Sequence, residues 1–235
     1  MTLPHIYPMT LLEGTQVVDV GLFIEAASTL VISDLHIGLE ESLNRQGILV
    51  PRTPFTEVLD RLESILDATH PETVVLNGDI KDQFGSIGPQ EWRDVKKLID
   101  FIQKRAKLVV VKGNHDTVLD PIAKDRDLTL VTAHTAGGIT IMHGDTLPSP
   151  LPKTLLIGHH HPAIRIREDR KSELYKCFLK IKQGQSTIVI QPSFNTLKEG
   201  SDVIKNPPDL AVPTKTEVFV VDRQLFPFGR LADLV

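Results

Sequence analysis

Apolar and polar positions follow two regimes along this chain. Up to residue 111, short apolar runs alternate with long amphipathic stretches. Residues 17–20 and 22–24 read as short strands around Gly21, and 29–32 as a buried strand. Residues 39–46 predict a helical turn that ends at Gly47. Over Pro54–Thr69, the residues Phe55, Val58, Leu59, Leu62, Ile65 and Leu66 recur at helical spacing and form one stripe. Thr53 is placed to cap that helix, with proline at its first position. Residues 73–76 read as the next strand. Residues 89–105 predict a second helix, with Trp92, Val95, Leu98, Ile99 and Ile102 on its buried face. Residues 108–111 then return to strand. The order β-α-β-α-β, with connections this long, predicts parallel pairing.

After Asp116 the pattern changes. Runs at 128–132, Ile139–Met142, Thr154–Ile157, 164–167, 187–190 and 217–221 are short, and Gly, Pro and Ser separate them. This half predicts sheet. Residues 172–182 fit a helix or a strand. Residues 192–215 contain prolines and little periodicity, which predicts a substrate loop or lid.

Polar residues gather where the apolar runs stop. One run ends in Ser33-Asp34-Leu35-His36, and another in Asn77-Gly78-Asp79-Ile80-Lys81-Asp82. A third ends in Lys112-Gly113-Asn114-His115-Asp116. The last two end in His143-Gly144-Asp145 and Gly158-His159-His160-His161-Pro162. In open α/β sheets, ligands bind at the carboxyl ends of strands. Asp34, His36, Asp79, Asn114, His143, His159 and His161 are candidate metal ligands, because carboxylate and imidazole suit Mn, Fe or Zn. Taken singly, each pair also fits a polar loop end. The claim rests on all seven converging.

Composition narrows the classes. The 235 residues suit one domain, 1–235, or at most two small ones. Hydrophobic residues at 41% and charged residues at 24% fit a globular chain. The single cysteine, Cys177, excludes an internal disulfide and reads as a small core residue. No apolar run approaches the ~20 residues that span a bilayer. The N-terminus lacks the basic start and apolar core of a signal peptide, so the expected location is cytoplasmic. A net charge of −4 leaves nucleic-acid binding to a local patch. Between Arg165 and Lys182, seven basic residues face three acidic ones, and this segment is the candidate patch. Tyr175, Phe178 and Phe194 read as core residues that could otherwise stack on bases.

Together, Asp34-x-His36, Gly78-Asp79-x-x-Asp82, Gly113-Asn114-His115-Asp116, His143-Gly144 and Gly158-His159-x-His161 resemble the calcineurin-like metallophosphoesterase superfamily. The resemblance covers about residues 29–162. It implies a four-layer α/β/β/α sandwich of two mixed sheets flanked by helices. It implies that Asp34, His36 and His161 hold one metal, that Asn114, His143 and His159 hold the other, and that Asp79 bridges them. Asp82 becomes a supporting carboxylate. His115 becomes the general acid, with Asp116 orienting its ring. The implied cofactor is a pair of divalent ions, Mn²⁺ first, with Fe, Zn or Mg as alternatives. The implied reaction is in-line attack on phosphorus by a metal-activated hydroxide.

Asp34-Leu35-His36-Ile37-Gly38 and the Gly-His-x-His-Pro ending resemble the compact, repair-nuclease-related branch. That branch implies a phosphodiesterase acting on DNA, single-stranded DNA included, with a helicase or ligase partner. A small-molecule phosphodiesterase or phosphomonoesterase is the alternative, and a non-catalytic scaffold on the same fold is a third reading. Oligomeric state is not legible in the sequence.

Overall fold

The computed structural model describes residues 7, 9–51, 53–168, 171–222 and 224–234. Its first sheet has six strands in sequence order: β1 (Thr15–Val18), β2 (Gly21–Ile24), β3 (Thr29–Ser33), β4 (Thr73–Asn77), β5 (Lys107–Val111) and β6 (Thr129–Val131). The first three pair antiparallel, and β3 to β6 run parallel. α1 (Leu39–Arg45) follows β3, and α2 (Pro54–Thr69) leads into β4. α3 (Pro89–Gln103) joins β4 to β5, and α4 (Asp120–Arg126) joins β5 to β6. Each parallel pair therefore has a helical crossover, as parallel pairing requires.

The second sheet has nine strands: β7 (Ala133–Ala136), β8 (Ile139–Met142), β9 (Thr154–Ile157), β10 (Pro162–Glu168), β11 (Lys171–Gln183), β12 (Ser186–Ile190), β13 (Ser201–Asp202), β14 (Thr216–Val221) and β15 (Leu225–Arg230). It too is mixed, because β8, β9 and β12 run parallel while the rest pair mainly antiparallel. β11 is the pivot. Residues 171–176 pair with β10, 179–183 with β12 and 177–181 with β14.

Two mixed sheets flanked by helices are the expected architecture. One apolar cluster joins Val58, Leu62 and Ile65 of α2 and Val95, Leu98 and Ile99 of α3 to β3, β4 and β5. It continues into Ile141, Leu156, Phe178 and Val189 of the second sheet. Fully burying one such Leu or Ile contributes about 1.5–3 kcal/mol. The other face of the second sheet (Leu155, Ile157, Cys177, Leu179, Ile181, Ile188) packs on Val203, Ala211 and Leu231. Extended chain and 3-10 turns at Pro213–Lys215 and Leu231–Asp233 cover that face.

Several local expectations shift. Gly21 opens β2, and the tight turn lies at Asp19–Val20, with Asp19 in the left-handed region (φ 57). Residues 172–182 are strand. Cys177, Leu179 and Ile181 face one cluster and Phe178 the other, which is a period of two. α4 was not expected. With seven residues and only Ile122 and Ala123 buried, it is too short for a visible stripe. β15 reads poorly as strand because it contains Pro227 and Gly229, and such residues are confined to edges and bulges. In the expected loop at 192–215, residues 192–195 are buried, and β13 and a 3-10 turn follow.

Candidate active site

Register brings the polar ends to one rim. Ser33 lies opposite Asn77, and Asn77 opposite Val111, so β3, β4 and β5 end level. Asp34 and His36 follow β3, Asp79 follows β4, and Asn114 and His115 follow β5. From the facing sheet, His143 follows β8, and His159 and His161 follow β9.

Backbone bonds tie these ends together. The amides of Asp34, His36 and Ile37 donate to the carbonyls of Gly78 (3.2 Å), Asp79 (2.9 Å) and Ile80 (2.8 Å). The Gly158 amide donates to the His143 carbonyl at 2.8 Å. The His159 amide donates to both carboxylate oxygens of Asp34 at 3.1 Å, so the two sheets meet at that carboxylate. The turns need glycine for space. A Cβ on Gly78 would overlap the His143 ring, one on Gly113 would overlap Asp79, and one on Gly158 would overlap Asp34. Five of the polar residues themselves adopt positive φ: Asp34 (56°), His36 (43°), Asp79 (48°), His159 (62°) and His161 (45°).

The side chains then converge. Asp34, His36, Asp79 and His161 each offer an atom within 4.8 Å of the others, and so do Asp79, His143 and His159. Asp79 belongs to both groups. Asn114 joins the second group, with its Oδ1 3.0 Å from His143 Nε2. His36 Nε2 and His161 Nε2 face one another at 3.2 Å, and His159 Nδ1 faces His143 Nε2 at 3.1 Å. Neutral imidazole offers one lone pair and one proton, so such facing pairs suit a cation between or beside them. The donor set, the facing ring nitrogens and the glycine clearances all fit divalent ions.

Charge follows the geometry. Burial works against Asp79, but the hydrogen bond and charge of His143 hold its carboxyl well below the usual range. Burial likewise works against protonated His143, yet the bond to Asp79 and the charge of Asp34 raise it to about 9. Burial lowers His36 and His159. Asp82 Oδ1 lies 3.5 Å from His36 Nδ1, the supporting position expected of it.

One expectation needs correction. Asp116 does not orient His115. Its carboxylate is fully buried and accepts from the amides of Gly113 and Ile80, both at 3.0 Å. Burial raises its carboxyl to about 6. The His115 ring is held instead by the Asp82 carbonyl, to which its Nδ1 donates at 2.5 Å. His115 Nε2 is thereby left on the cluster side, 3.9 Å from Asp79 Oδ2. His160 has an enclosed Nε2 with no hydrogen-bond partner among the described residues, and burial pushes its ring down to about 4.

The basic segment 165–182 is split by the fold. The Lys176 ammonium is drawn inward and donates to the carbonyls of Ser193 and Asn195, both at 2.5 Å. Arg165 turns towards Asp202 at 3.9 Å, and Lys182 donates to Thr187. Asp169 and Arg170 lie outside the described residues. Phe178 and Phe194 are fully buried, as expected of core residues. Cys177 is buried as well.

Sequence reasoning counted Lys176 only within the basic patch and gave Gln191 and Arg61 no role. Ser193 Oγ donates to the Asp34 carbonyl at 2.7 Å, and Asn195 Nδ2 to the carbonyls of Leu35 and His36. Gln191 Nε2 donates to Val20 and Val31 carbonyls at 2.8 and 3.0 Å. Arg61 lies over the Phe194 ring and donates to its carbonyl at 2.7 Å. The one sequence signal was Gln-Pro-Ser-Phe-Asn, a polar run at the end of a buried strand. Residues 196–201 continue from it and, with His161, line a cleft of about 390 Å³.

A rim of carboxylates and imidazoles on two facing sheets defines a hydrolase acting on phosphoester bonds. The chain belongs to the calcineurin-like phosphoesterase family, whose model matches residues 27–190. Among solved structures, it is similar to the Pseudomonas putida nuclease MPE at 19% identity. That match covers 94% of this chain and 100% of the other, with a TM-score of 0.70. It is also similar to YfcE, a phosphoesterase from E. coli, at 13% identity, over 83% of this chain and 87% of the other, with a TM-score of 0.44. No curated protein matches the sequence. No helix among the described residues is long and apolar enough to cross a membrane.

Proposed function

We propose that the whole chain forms one catalytic domain, a binuclear-metal phosphodiesterase acting on nucleic acid. The observation that carries this reading is the pair of ligand groups sharing Asp79. Asp34, His36 and His161 would hold one ion, and Asn114, His143 and His159 the other, with Asp79 common to both. Mn²⁺ is the first candidate, and Fe, Zn and Mg are alternatives for the same donors. Bound there, such ions would neutralise phosphate charge and lower the pKa of water.

The protein's own groups do the rest. The Asp82 carbonyl accepts from His115 Nδ1 and turns Nε2 towards the cluster, so the ring, when protonated on both nitrogens, gives its Nε2 proton to the leaving oxygen. The Asp82 carboxylate steadies the His36 ring. Residues 196–201 serve as the substrate loop. Lys198, whose positive charge is felt at both His36 and Asp82, attracts the phosphate backbone. The nuclease that shares this fold over 94% of the chain lends support to nucleic acid as substrate. The reading extends to DNA repair in the cytoplasm on single-stranded DNA, alongside a helicase or ligase.

The test is hydrolysis of bis(p-nitrophenyl) phosphate, p-nitrophenyl phosphate and a single-stranded oligonucleotide with Mn²⁺. Chelator, Asp79→Ala and His115→Ala are the controls. Cleavage of diester and oligonucleotide, lost in every control, is the expected result. Cleavage of the monoester alone overturns the diester reading. No cleavage with any of the four metals favours a scaffold.

A further inference from the structure

We propose that Phe84 is a stacking platform for the nucleobase on the leaving-group side of the scissile bond. This inference rests on the nucleic-acid reading above and adds a contact that fixes which part of the substrate is recognised.

Phe84 is 67% exposed, which is unusual for a large apolar side chain, and it stands beside the reaction centre. Its ring meets the His115 ring edge to face, with centroids 5.7 Å apart. The His115 ring in turn meets His36 at 5.2 Å. The His115 ring thus touches His36 of the cluster on one contact and the exposed Phe84 on another. The group that takes a proton from His115 is the leaving oxygen, so the nucleoside attached to it emerges beside Phe84.

The loop that carries Phe84 is held from beneath. The Glu91 carboxylate, 2% exposed, accepts from the amides of Asp82 (3.1 Å), Gln83 (2.8 Å) and Gly88 (2.9 Å). Lys81 is fully buried and donates its ammonium to the Gln83 carbonyl. Two buried charges thus brace the residues on either side of Phe84. A braced loop that still turns its one aromatic ring outward behaves as a preorganised surface, and preorganisation lowers the cost of binding. Aromatic rings stack on any base, and such contacts tolerate sequence variation. The arrangement therefore predicts recognition of a base without discrimination among bases.

The experiment compares Mn²⁺-loaded wild type, Phe84→Ala and Phe84→Trp on two single-stranded oligonucleotides. One is intact, and the other carries abasic residues across the cleavage position. For wild type, KM for the intact strand should be about tenfold below that for the abasic strand, in keeping with base–aromatic stacking. Phe84→Ala should bring the two KM values together, and Phe84→Trp should restore the gap. The unloaded variants should unfold at the wild-type temperature, which separates a lost contact from a lost fold. A gap that survives in Phe84→Ala, or an equal loss on both strands, overturns the inference and leaves the nuclease reading standing. Wild-type enzyme that cuts small diesters and neither strand overturns the nuclease reading, and the inference falls with it.

Discussion

Asn195 holds the His36 turn by its backbone. Its Nδ2 donates to the carbonyls of Leu35 at 2.6 Å and His36 at 3.1 Å, while its own carbonyl accepts from Lys176. The His143 turn is held separately, by the Gly158 amide on the His143 carbonyl at 2.8 Å. Asn195→Ala should therefore lower affinity for one ion of the pair by about 10–100-fold, the usual effect of losing a supporting partner. The other ion should bind as before. Two-site calorimetric titration with Mn²⁺ measures both, and an equal loss at both sites would count against this division of labour.

His115 and Asp116 are neighbours with separable roles. His115→Gln should reduce kcat by about 10²–10⁴, the range for general acid catalysis, with metal stoichiometry intact. Asp116→Ala should act on stability, since it strips two buried amides of their acceptor. The expected loss is about 1–3 kcal/mol for each bond to a charged group. Denaturant unfolding and steady-state kinetics on the two variants should give opposite profiles.

Gly78 and Gly158 are predicted to be intolerant of alanine for different reasons. Gly78 has φ 75 and its missing Cβ makes room for His143. Gly158 lacks the positive φ, but its missing Cβ makes room for Asp34. Gly78→Ala should cost at least the ~1–2 kcal/mol of a left-handed alanine, plus the displacement of His143. Gly158→Ala should weaken metal binding with a smaller loss of stability. Thermal unfolding with and without Mn²⁺ distinguishes the two.

Metal loading should release protons at neutral pH. The hydrogen bond to Asp79 and the charge of Asp34 keep His143 protonated up to about 9. A ligating ring nitrogen must give that proton up. Acid favours the protonated ring, so metal affinity should fall as pH falls. Calorimetry in buffers of different ionisation enthalpy counts the protons, and zero release at pH 7 would contradict the picture.

Lys176 makes a second pH prediction. Burial lowers its ammonium from 10.5 in the unfolded chain to about 7 in the fold. The folded state then binds fewer protons between those values, so stability rises with pH across that window. The penalty is fully present below about 7. Between pH 7 and 9 the gain should be about 2 kcal/mol at 1.36 kcal/mol per unit. Lys176→Met should lack this rise when chelated wild type and variant are compared by urea unfolding.

Much of this was legible in the chain. The stripes of α2 and α3 are strong because five or six buried positions recur on one face. The convergence of the candidate ligands was legible because each ends an apolar run, and the fold makes those ends level. What escaped has physical causes. Partners such as Asn195 and Leu35 lie 160 residues apart, so no local spacing couples them. Lys176 reads as one more surface charge, since nothing nearby in sequence shows that two carbonyls await it. Asp116 follows His115 in sequence, but its side chain turns into the loop because the Gly113 and Ile80 amides need an acceptor.

The five candidate ligand positions with positive φ also act as a filter on descent. Outside glycine, left-handed backbone is most often occupied by Asn, Asp and His, and ligation at a metal calls for nearly the same residue types. Selection for the fold and selection for the metals therefore favour overlapping substitutions at Asp34, His36, Asp79, His159 and His161. A lineage that abandoned catalysis would still be steered by the backbone. It would replace these residues with Asn or Gly well before Val or Ile. An inactive descendant could thus keep much of the outward look of an active one, and its loss of function would have to be read in His115 and the metal count.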